Sequence, residues 1–330
     1  MKKIILFDEF ASERKVPINF IEDDNKLFAH ELYKIFPQIY FYEVKNLHII
    51  NTSVYKLTRF KFFSKYNYFY KPKKIRLFKD VYTNIYKSTS VDKTISSGIW
   101  ITDNKTGVYF HFLCDALTRY EALPEAYKNQ PVLLPNVYSH SWIIEILEYL
   151  DIDYIILDKN KKYKLNHALI TSYTAPSGNF HQQTLLKLRN NFLNRSTSIN
   201  TNDKKINKIW IDMSKHRRPV QNIDEIRPIL KKHGITEVLF EKLSIEEKIN
   251  LMKNVDVLIG SHSSGLTNML FMKSETKVID IRDPNDKIKN AFFTMASELN
   301  ISYYYMEREP DLNTTYIDPE KIDNLLSSLN

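Results

Sequence analysis

DVLIGSHSSGLTNMLFM, Asp256 to Met272, is the stretch whose reading decides the fold. Val257, Leu258 and Ile259 make a β-branched-rich apolar run of the kind buried on both faces of a parallel sheet. Gly260 and Gly265, two of only six glycines in the chain, bracket a short polar turn, and Gly265–Phe271 reads as an apolar helix. Strand, polar turn and helix make one βα unit. In an open α/β sheet a ligand sits outside the carboxyl ends of the strands, so this turn is a candidate site. Ser263, Ser264 and Gly265 then head the next helix, where free backbone amides and the helix dipole favour an anion. His262 points into the same crevice, where it can donate to a phosphate oxygen or bond neutral to a sugar or base. The ordinary alternative is a capped turn carrying a solvent-exposed histidine.

Outward from this unit the same pattern repeats. Strands are expected at Lys208–Asp212, Glu237–Phe240, Val257–Gly260, Lys277–Ile281 and Ile301–Met306. Helices are expected at Ile223–His233, from Ser244 to Asn254, at Gly265–Phe271, Asn290–Leu299 and Pro319–Leu329. Gly234 supplies a left-handed residue after the first of these helices, and Ser244 with Glu247 spells a capping box before the second. Asn222 and Glu225 read as a further N-cap pair, a structural role. Five strands alternating with helices in about 120 residues are the signature of a doubly wound parallel sheet.

The first half is mixed α/β but less regular. Strands are expected at Ile4–Phe7, Ile39–Val44, Ile99–Thr102, Val132–Leu134 and Tyr154–Leu157, with helices at Lys26–Phe36, Val108–Leu123, Ser141–Leu150 and Phe180–Leu193. NRSTSINTNDKK, Asn194 to Lys205, is polar and aperiodic, which is linker composition. Two domains follow, 1–195 and 205–330, as expected for a 330-residue chain too long for one ordinary core.

A hydrophobic fraction of 43 % with 26 % charged residues describes a soluble globular protein, and no run approaches the ~20 apolar residues of a membrane helix. Asp8 and Glu9 arrive too early for a secretory signal, so MKKIILFDEF reads as a first strand. The single cysteine, Cys114, forms no internal disulfide, fits a reducing cytosol and reads as a structural thiol. A net charge of +8 favours anionic partners. Much of it lies in Tyr55 to Lys79, where aromatic rings alternate with Lys and Arg and no acid intervenes. That mixture suits an anionic membrane surface or a single-stranded nucleic acid, and equally a pair of strands with solvated lysines.

Two more stretches carry chemistry. MSKHRRPVQNIDEI follows KIWID and places Lys215, His216, Arg217 and Arg218 on the loop leaving the first strand of the C-terminal sheet, the same edge as His262. An ammonium or guanidinium beside a helix N-terminus suits a diphosphate. In GVYFHFLCDALTRYEAL, Gly107 to Leu123, His111 and Asp115 are four apart on one helix face, and Arg119 continues the stripe. A carboxylate beside an imidazole fixes its tautomer and raises its basicity, as a general base for a hydroxyl requires. Asp103, just past the strand IWIT, is a reserve base or an ordinary turn residue.

The order F-H-F-L-x-D-x-L-x-R (Phe110 to Arg119), S-K-H-x-R-x-x-x-N-x-x-E (Ser214 to Glu225) and G-x-H-x-x-G-L-T-N-x-x-F-M (Gly260 to Met272) resembles glycosyltransferase family 61. The resemblance covers about Trp100 to Asp280 and is most specific in the last motif. It implies a GT-B architecture, two Rossmann-like α/β domains with a cleft between them, and an inverting mechanism with a nucleoside-diphosphate sugar donor and no catalytic metal or other cofactor. Bacterial relatives are associated with capsule or lipopolysaccharide assembly. This sequence departs from the family where Ser263 and Ser264 replace Gly-Ala and Lys215 replaces Arg. The first 95 residues show no match, and an acceptor would be read there.

On this reading Lys215 and Arg218 hold the diphosphate, with His262, Ser263, Ser264, Gly265 and Asn268 completing the donor site. His111 deprotonates a glycan or lipid-linked acceptor and Asp115 orients it. The protein is then expected in the cytoplasm, peripheral to the inner membrane face, with no nucleic-acid partner. The rivals are a nucleotide-sugar epimerase of the same fold, a catalytically silent sugar-nucleotide sensor, and a basic nucleic-acid-binding protein using Tyr55 to Lys79.

Overall fold

The computed structural model describes residues 1–56, 90–196, 206–214, 219–310 and 315–329, with 61–62 as backbone. The chain divides into two compact units: Met1–Phe10 with Ile35–Leu188, and Ala11–Lys34 with Arg189–Asn330. The sequence expectation puts 1–195 in one domain. The difference is the excursion 11–34 and the end of the helix Gln182–Arg195, both of which go with the C-terminal unit.

β2 (Phe10–Glu13) and β3 (Tyr33–Phe36) pair with each other as a separate two-stranded sheet, and the sheet of the N-terminal unit begins with β1 (Lys2–Phe7). The sheet continues through β4 (Ile39–Ile50), β5 (Ser53–Lys56), β6 (Lys61–Phe62), β7 (Lys93–Trp100), β8 (Val132–Pro135), β9 (Tyr154–Leu157) and β10 (Lys162–Thr171). Its order is β6-β5-β4-β10-β7-β8-β9, with β1 also on β4. β4 runs antiparallel to β1, β5 and β10, whereas β10 and β7 run parallel. This sheet is therefore mixed rather than purely Rossmann-like. The sequence reading has no strand at Lys162–Thr171, although it joins the two halves of the sheet. It also runs one helix over Lys26–Phe36, but the helix stops at Leu32, and Tyr33–Phe36, rich in aromatic and β-branched side chains, is extended.

The C-terminal unit holds β11 (Lys208–Ile211), β12 (Thr236–Val238), β13 (Val257–Ser261), β14 (Lys277–Arg282) and β15 (Ser302–Glu307), all parallel, in the order β12-β11-β13-β14-β15. Numbered within the unit this is 2-1-3-4-5, a doubly wound order whose switch point lies between β11 and β13. One face packs Trp210, Ile259, Ile279 and Ile281 against Ile226, Leu230, Ile322 and Leu326 of the helices Ile223–Lys232 and Pro319–Ser327. By strand alternation Ile211, Gly260, Val278 and Asp280 turn to the other face.

Local signals are realised where the sequence placed them, with one exception. Ser244 accepts from the Glu247 amide while Glu247 accepts from the Ser244 amide, the reciprocal capping box. Gly234 sits at φ +67° after the helix Ile223–Lys232, and the amides of Gly234 and Ile235 return to the carbonyls of Lys231 and Leu230. Asn222 precedes that helix but its side chain makes no cap bond. It donates to the Ile317 carbonyl at 2.7 Å and accepts from the Ile317 amide at 3.1 Å, because two bonds to a buried peptide outweigh a single cap bond.

The excursion 11–34 closes the outer edge of β15. Ile18 N donates to Tyr303 O at 2.9 Å, and the Asn19 carboxamide bonds the carbonyl and the amide of Tyr305 at 2.6 and 3.2 Å. Phe28 lies 5.0 Å from the rings of Phe293 and Tyr305, and Arg14 pairs with Glu298.

Candidate functional site

A crevice of about 320 Å³ opens at the carboxyl edge of the C-terminal sheet. Its walls are the ends of β13 (Ser261, then His262 and Ser263) and β14 (Ile281, Arg282, then Asp283), with Met213 after β11 and Arg308 after β15. It lies at the carboxyl ends of the strands, beside the point between β11 and β13 where the strand order reverses, the edge at which such folds bind ligands. Arg308 pairs with Asp283 at 2.5 Å and Lys289 with Asp286 at 2.6 Å. Arg282 donates to Asn290 Oδ1 at 2.7 Å and to the carbonyls of Asp286 and Lys289, shaping the loop that forms one lip.

His262 is fixed from three sides. Its amide bonds Ile281 O at 2.9 Å, its ring lies edge-on to Phe292 at 4.8 Å, and its Nδ1 meets Asp280 Oδ2 at 2.7 Å. The imidazole is 21 % exposed and Asp280 wholly buried. Tyr303 donates its hydroxyl to the same Asp280 oxygen at 2.8 Å, and burial pushes that phenol well above its usual range. Nε2 is the ring nitrogen that Asp280 does not engage.

Ser263, in extended conformation, is the N-cap of a 3₁₀ helix, Ser264–Phe271, where the sequence expects an α-helix. The amides of Ser264 and Gly265 precede its first internal bond, from Leu266 N to Ser263 O at 3.0 Å. The two glycines of the opening stretch have a packing reason. A Cβ on Gly260 would lie 2.7 Å from Ile211 Cδ1, and one on Gly265 would lie 3.0 Å from Ile211 Cγ2. They let β11 approach β13 and the following turn closely, the helix-to-strand packing role of such glycines. Asn268 is buried and donates to Gly265 O at 2.9 Å, holding the turn rather than lining the crevice. Lys215 and Arg218 lie outside the described residues.

In the N-terminal unit the loops after the parallel strands β7 and β10 meet at one edge. The helical run after β7 comprises Tyr109–His111, a π-helical stretch Phe112–Leu117, and Thr118–Glu121. Such π segments widen a helix by one residue per turn and recur at functional sites. His111 Nδ1 meets Asp115 Oδ2 at 2.6 Å, with side-chain exposures of 19 % and 4 %. Ser177, from the loop after β10, donates to the same Asp115 oxygen at 3.2 Å. Burial pushes the Asp115 carboxyl above its ordinary range, opposed by the hydrogen bond and charge of His111 and reinforced by Asp103.

Asp103 behaves as the turn residue of the two readings offered for it. Its Oδ1 accepts from Lys105 N at 2.7 Å, and its Oδ2 accepts from the Tyr173 hydroxyl at 2.5 Å. Arg119 is buried and donates to the carbonyls of Ile101 (2.6 Å) and Thr171 (2.7 Å), tying the ends of β7 and β10 together. Cys114 is buried in the π-helical stretch, and burial pushes its thiol up, away from reactivity.

The structure thus brings His262 and Ser263 into one crevice, with Ser264 and Gly265 heading the adjoining turn, and pairs His111 with Asp115. Sequence reasoning missed Asp280, Tyr303, Arg308 and Ser177. Asp280 carried a usable signal, a lone acid inside the apolar strand KVIDIR, whereas Ser177 carried none. Among the described residues no three His, Cys, Asp or Glu side chains gather as metal ligands, and no helix is long and apolar enough to cross a membrane. Beyond Tyr55, Lys56 and the backbone of β6, the basic aromatic stretch lies outside the described residues.

Two similarities bear on this geometry. The Glycosyltransferase 61 family model matches residues 109–279, just over half of the chain, beginning two residues before His111 and ending one before Asp280. The chain is also 32 % identical over 74 residues to the EGF domain-specific O-linked N-acetylglucosamine transferase of Drosophila melanogaster. That alignment covers 21 % of this chain and 14 % of the Drosophila protein.

Proposed function

The chain belongs to glycosyltransferase family 61, and on that premise we propose that it is an inverting, metal-independent glycosyltransferase of GT-B type using a nucleoside-diphosphate sugar. The observation that carries the reading is the crevice at the switch point of the C-terminal sheet, where His262 and the turn headed by Ser263 face the space a diphosphate requires. Lys215 and Arg218 are assigned to the same diphosphate from the sequence alone. A hydroxyl of a surface glycan, in capsule or lipopolysaccharide, is the acceptor, and the reaction takes place in the cytoplasm beside the inner membrane face.

His111 takes the acceptor proton on the nitrogen that Asp115 does not hold. The acceptor oxygen forms its bond to the anomeric carbon as the bond from that carbon to the diphosphate oxygen breaks. The electron pair leaves on the diphosphate, and attack from the opposite face inverts the centre. Asp115 keeps the tautomer and offsets the charge the imidazole gains.

The name of the Drosophila relative favours a second acceptor class, a protein hydroxyl, and N-acetylglucosamine as one sugar to try. A thermal-shift panel of nucleoside diphosphates and their sugars, UDP-N-acetylglucosamine included, tests the reading. A true donor at 100 times its dissociation constant stabilises the protein by about 2.7 kcal/mol. Turnover with the selected donor should persist in EDTA. No stabilisation by any member of the panel would overturn the reading, and release of a free epimerised sugar without acceptor would replace it with an epimerase.

A further inference from the structure

β14 places an acid where the sheet has no evident need of one. Val278, Ile279 and Ile281 around Asp280 are fully buried, and Asp280 itself has no exposed surface. Its register partner on β13 is Gly260, which offers no side chain, and on β15 Tyr305. Both hydrogen bonds that reach it, from His262 and Tyr303, end on Oδ2, while Oδ1 has no hydrogen-bond partner. A buried carboxylate with one oxygen unserved is costly to keep in a sheet. Arg282, two residues on, attracts Asp280 through space and bonds the Tyr303 hydroxyl, while its other bonds run to Asn290 and to the carbonyls of Asp286 and Lys289, so among the described residues no arginine or lysine bonds Asp280 directly.

The carboxylate has a use if the imidazole it holds carries charge. With Nδ1–H donated to Asp280, His262 can take a second proton on Nε2 and donate that one too, since both ring nitrogens are donors in the cation. The Ile281 carbonyl holds the His262 backbone and Phe292 packs edge-on against its ring.

We propose that Asp280 is a positioning residue for donor binding, holding His262 so that its Nε2–H meets a phosphate oxygen of the diphosphate in the crevice. The proposal rests on the donor assignment given above. The charged groups facing His262 are Asp280 and Arg282 of β14 and, around the crevice, Asp283, Asp286, Lys289 and Arg308. The helix Ala291–Glu298 presents only the apolar Phe292.

Calorimetric titration of UDP, GDP, CDP and ADP into the full chain gives the affinities. For the diphosphate that binds, Asp280→Asn should lose about 10- to 100-fold in affinity, as removal of a ligand's supporting partner usually does. His262→Gln should lose at least as much, and the double variant should bind no worse than His262→Gln, because Asp280 acts only through His262. If no diphosphate binds the wild type, the donor assignment itself fails. If one binds and Asp280→Asn retains its affinity, or the two losses simply add in the double variant, the assignment stands and the role of Asp280 is wrong. Should Asp280→Asn not fold, ¹⁵N spectra of the wild-type histidines decide, with the Nε2 resonance of His262 expected to move on adding the diphosphate and an unmoved resonance contradicting it.

Discussion

His111–Asp115 and His262–Asp280 look alike at first sight. In each, Nδ1 of a partly exposed imidazole meets a buried carboxylate, at 2.6 and 2.7 Å. Their origins differ. The first pair is local, four residues apart on one helical run, and the carboxylate's further contacts are a serine hydroxyl and the repulsive field of Asp103. The second is made by register, with eighteen residues and a βαβ crossover between its members, and its carboxylate is shared with a tyrosine. Their surroundings differ as well. The first has Asp103 near its carboxylate, whereas the second opens on a helix-heading turn with Arg308 and Lys289 at the rim, each paired with an acid, Asp283 and Asp286.

Substitution can separate the two roles. The largest effect is expected for His111→Ala, a loss of about 10²–10⁴ in kcat with donor affinity unchanged, read by steady-state kinetics beside calorimetry. Asp115→Asn should lose less, about 10- to 100-fold in kcat, because only the orienting partner goes. A loss confined to KM in either variant would break the distinction between the pairs. Next comes the packing beneath the second pair. Gly260→Ala should cost about 1–3 kcal/mol in denaturant unfolding, since the new methyl would sit 2.7 Å from Ile211 Cδ1. Ile211→Val removes that atom and should restore part of the loss; no rescue would show that the glycine serves something other than fit.

An effect confined to acid pH distinguishes a third histidine from both pairs. His181 is buried against Phe7 and Phe10 with Nδ1 unpartnered, and burial pulls its basicity down to about 4. The folded state refuses a proton that the unfolded chain accepts near pH 6.5, so stability is full above 6.5 and is lost as pH falls towards 4. His181→Phe should melt with a pH-independent offset from wild type above pH 7 and gain on it steadily between pH 6.5 and 4. A constant offset throughout would show that His181 is protonated in the fold.

What could be read from the chain follows the same local-versus-register division. The alternation of strands and helices after Lys208, the Ser244 capping box, the left-handed Gly234 and the His111–Asp115 spacing are encoded within a few residues, and the structure has all of them. Asp280 stands out in KVIDIR as a lone acid, but its partner His262 lies eighteen residues away, just past the neighbouring strand, so nothing local pairs the two. The strand Lys162–Thr171 was missed for a related reason. It is held by β4 on one side and β7 on the other, so its extended form is a tertiary outcome that local propensity does not dictate. The π-helical stretch beneath His111 leaves no mark in the hydrophobic pattern either. Asn222 shows the reverse error, a cap signal overruled by a distant peptide at Ile317.

The division of labour between the two pairs is the central claim, and titration of the donor's nucleoside diphosphate into wild type, His262→Ala and His111→Ala tests it most directly. Loss of a bond to a charged phosphate predicts about 10- to 150-fold weaker binding for His262→Ala, while His111→Ala binds as wild type does. Undiminished binding by His262→Ala, or a loss of affinity in His111→Ala instead, would contradict the account.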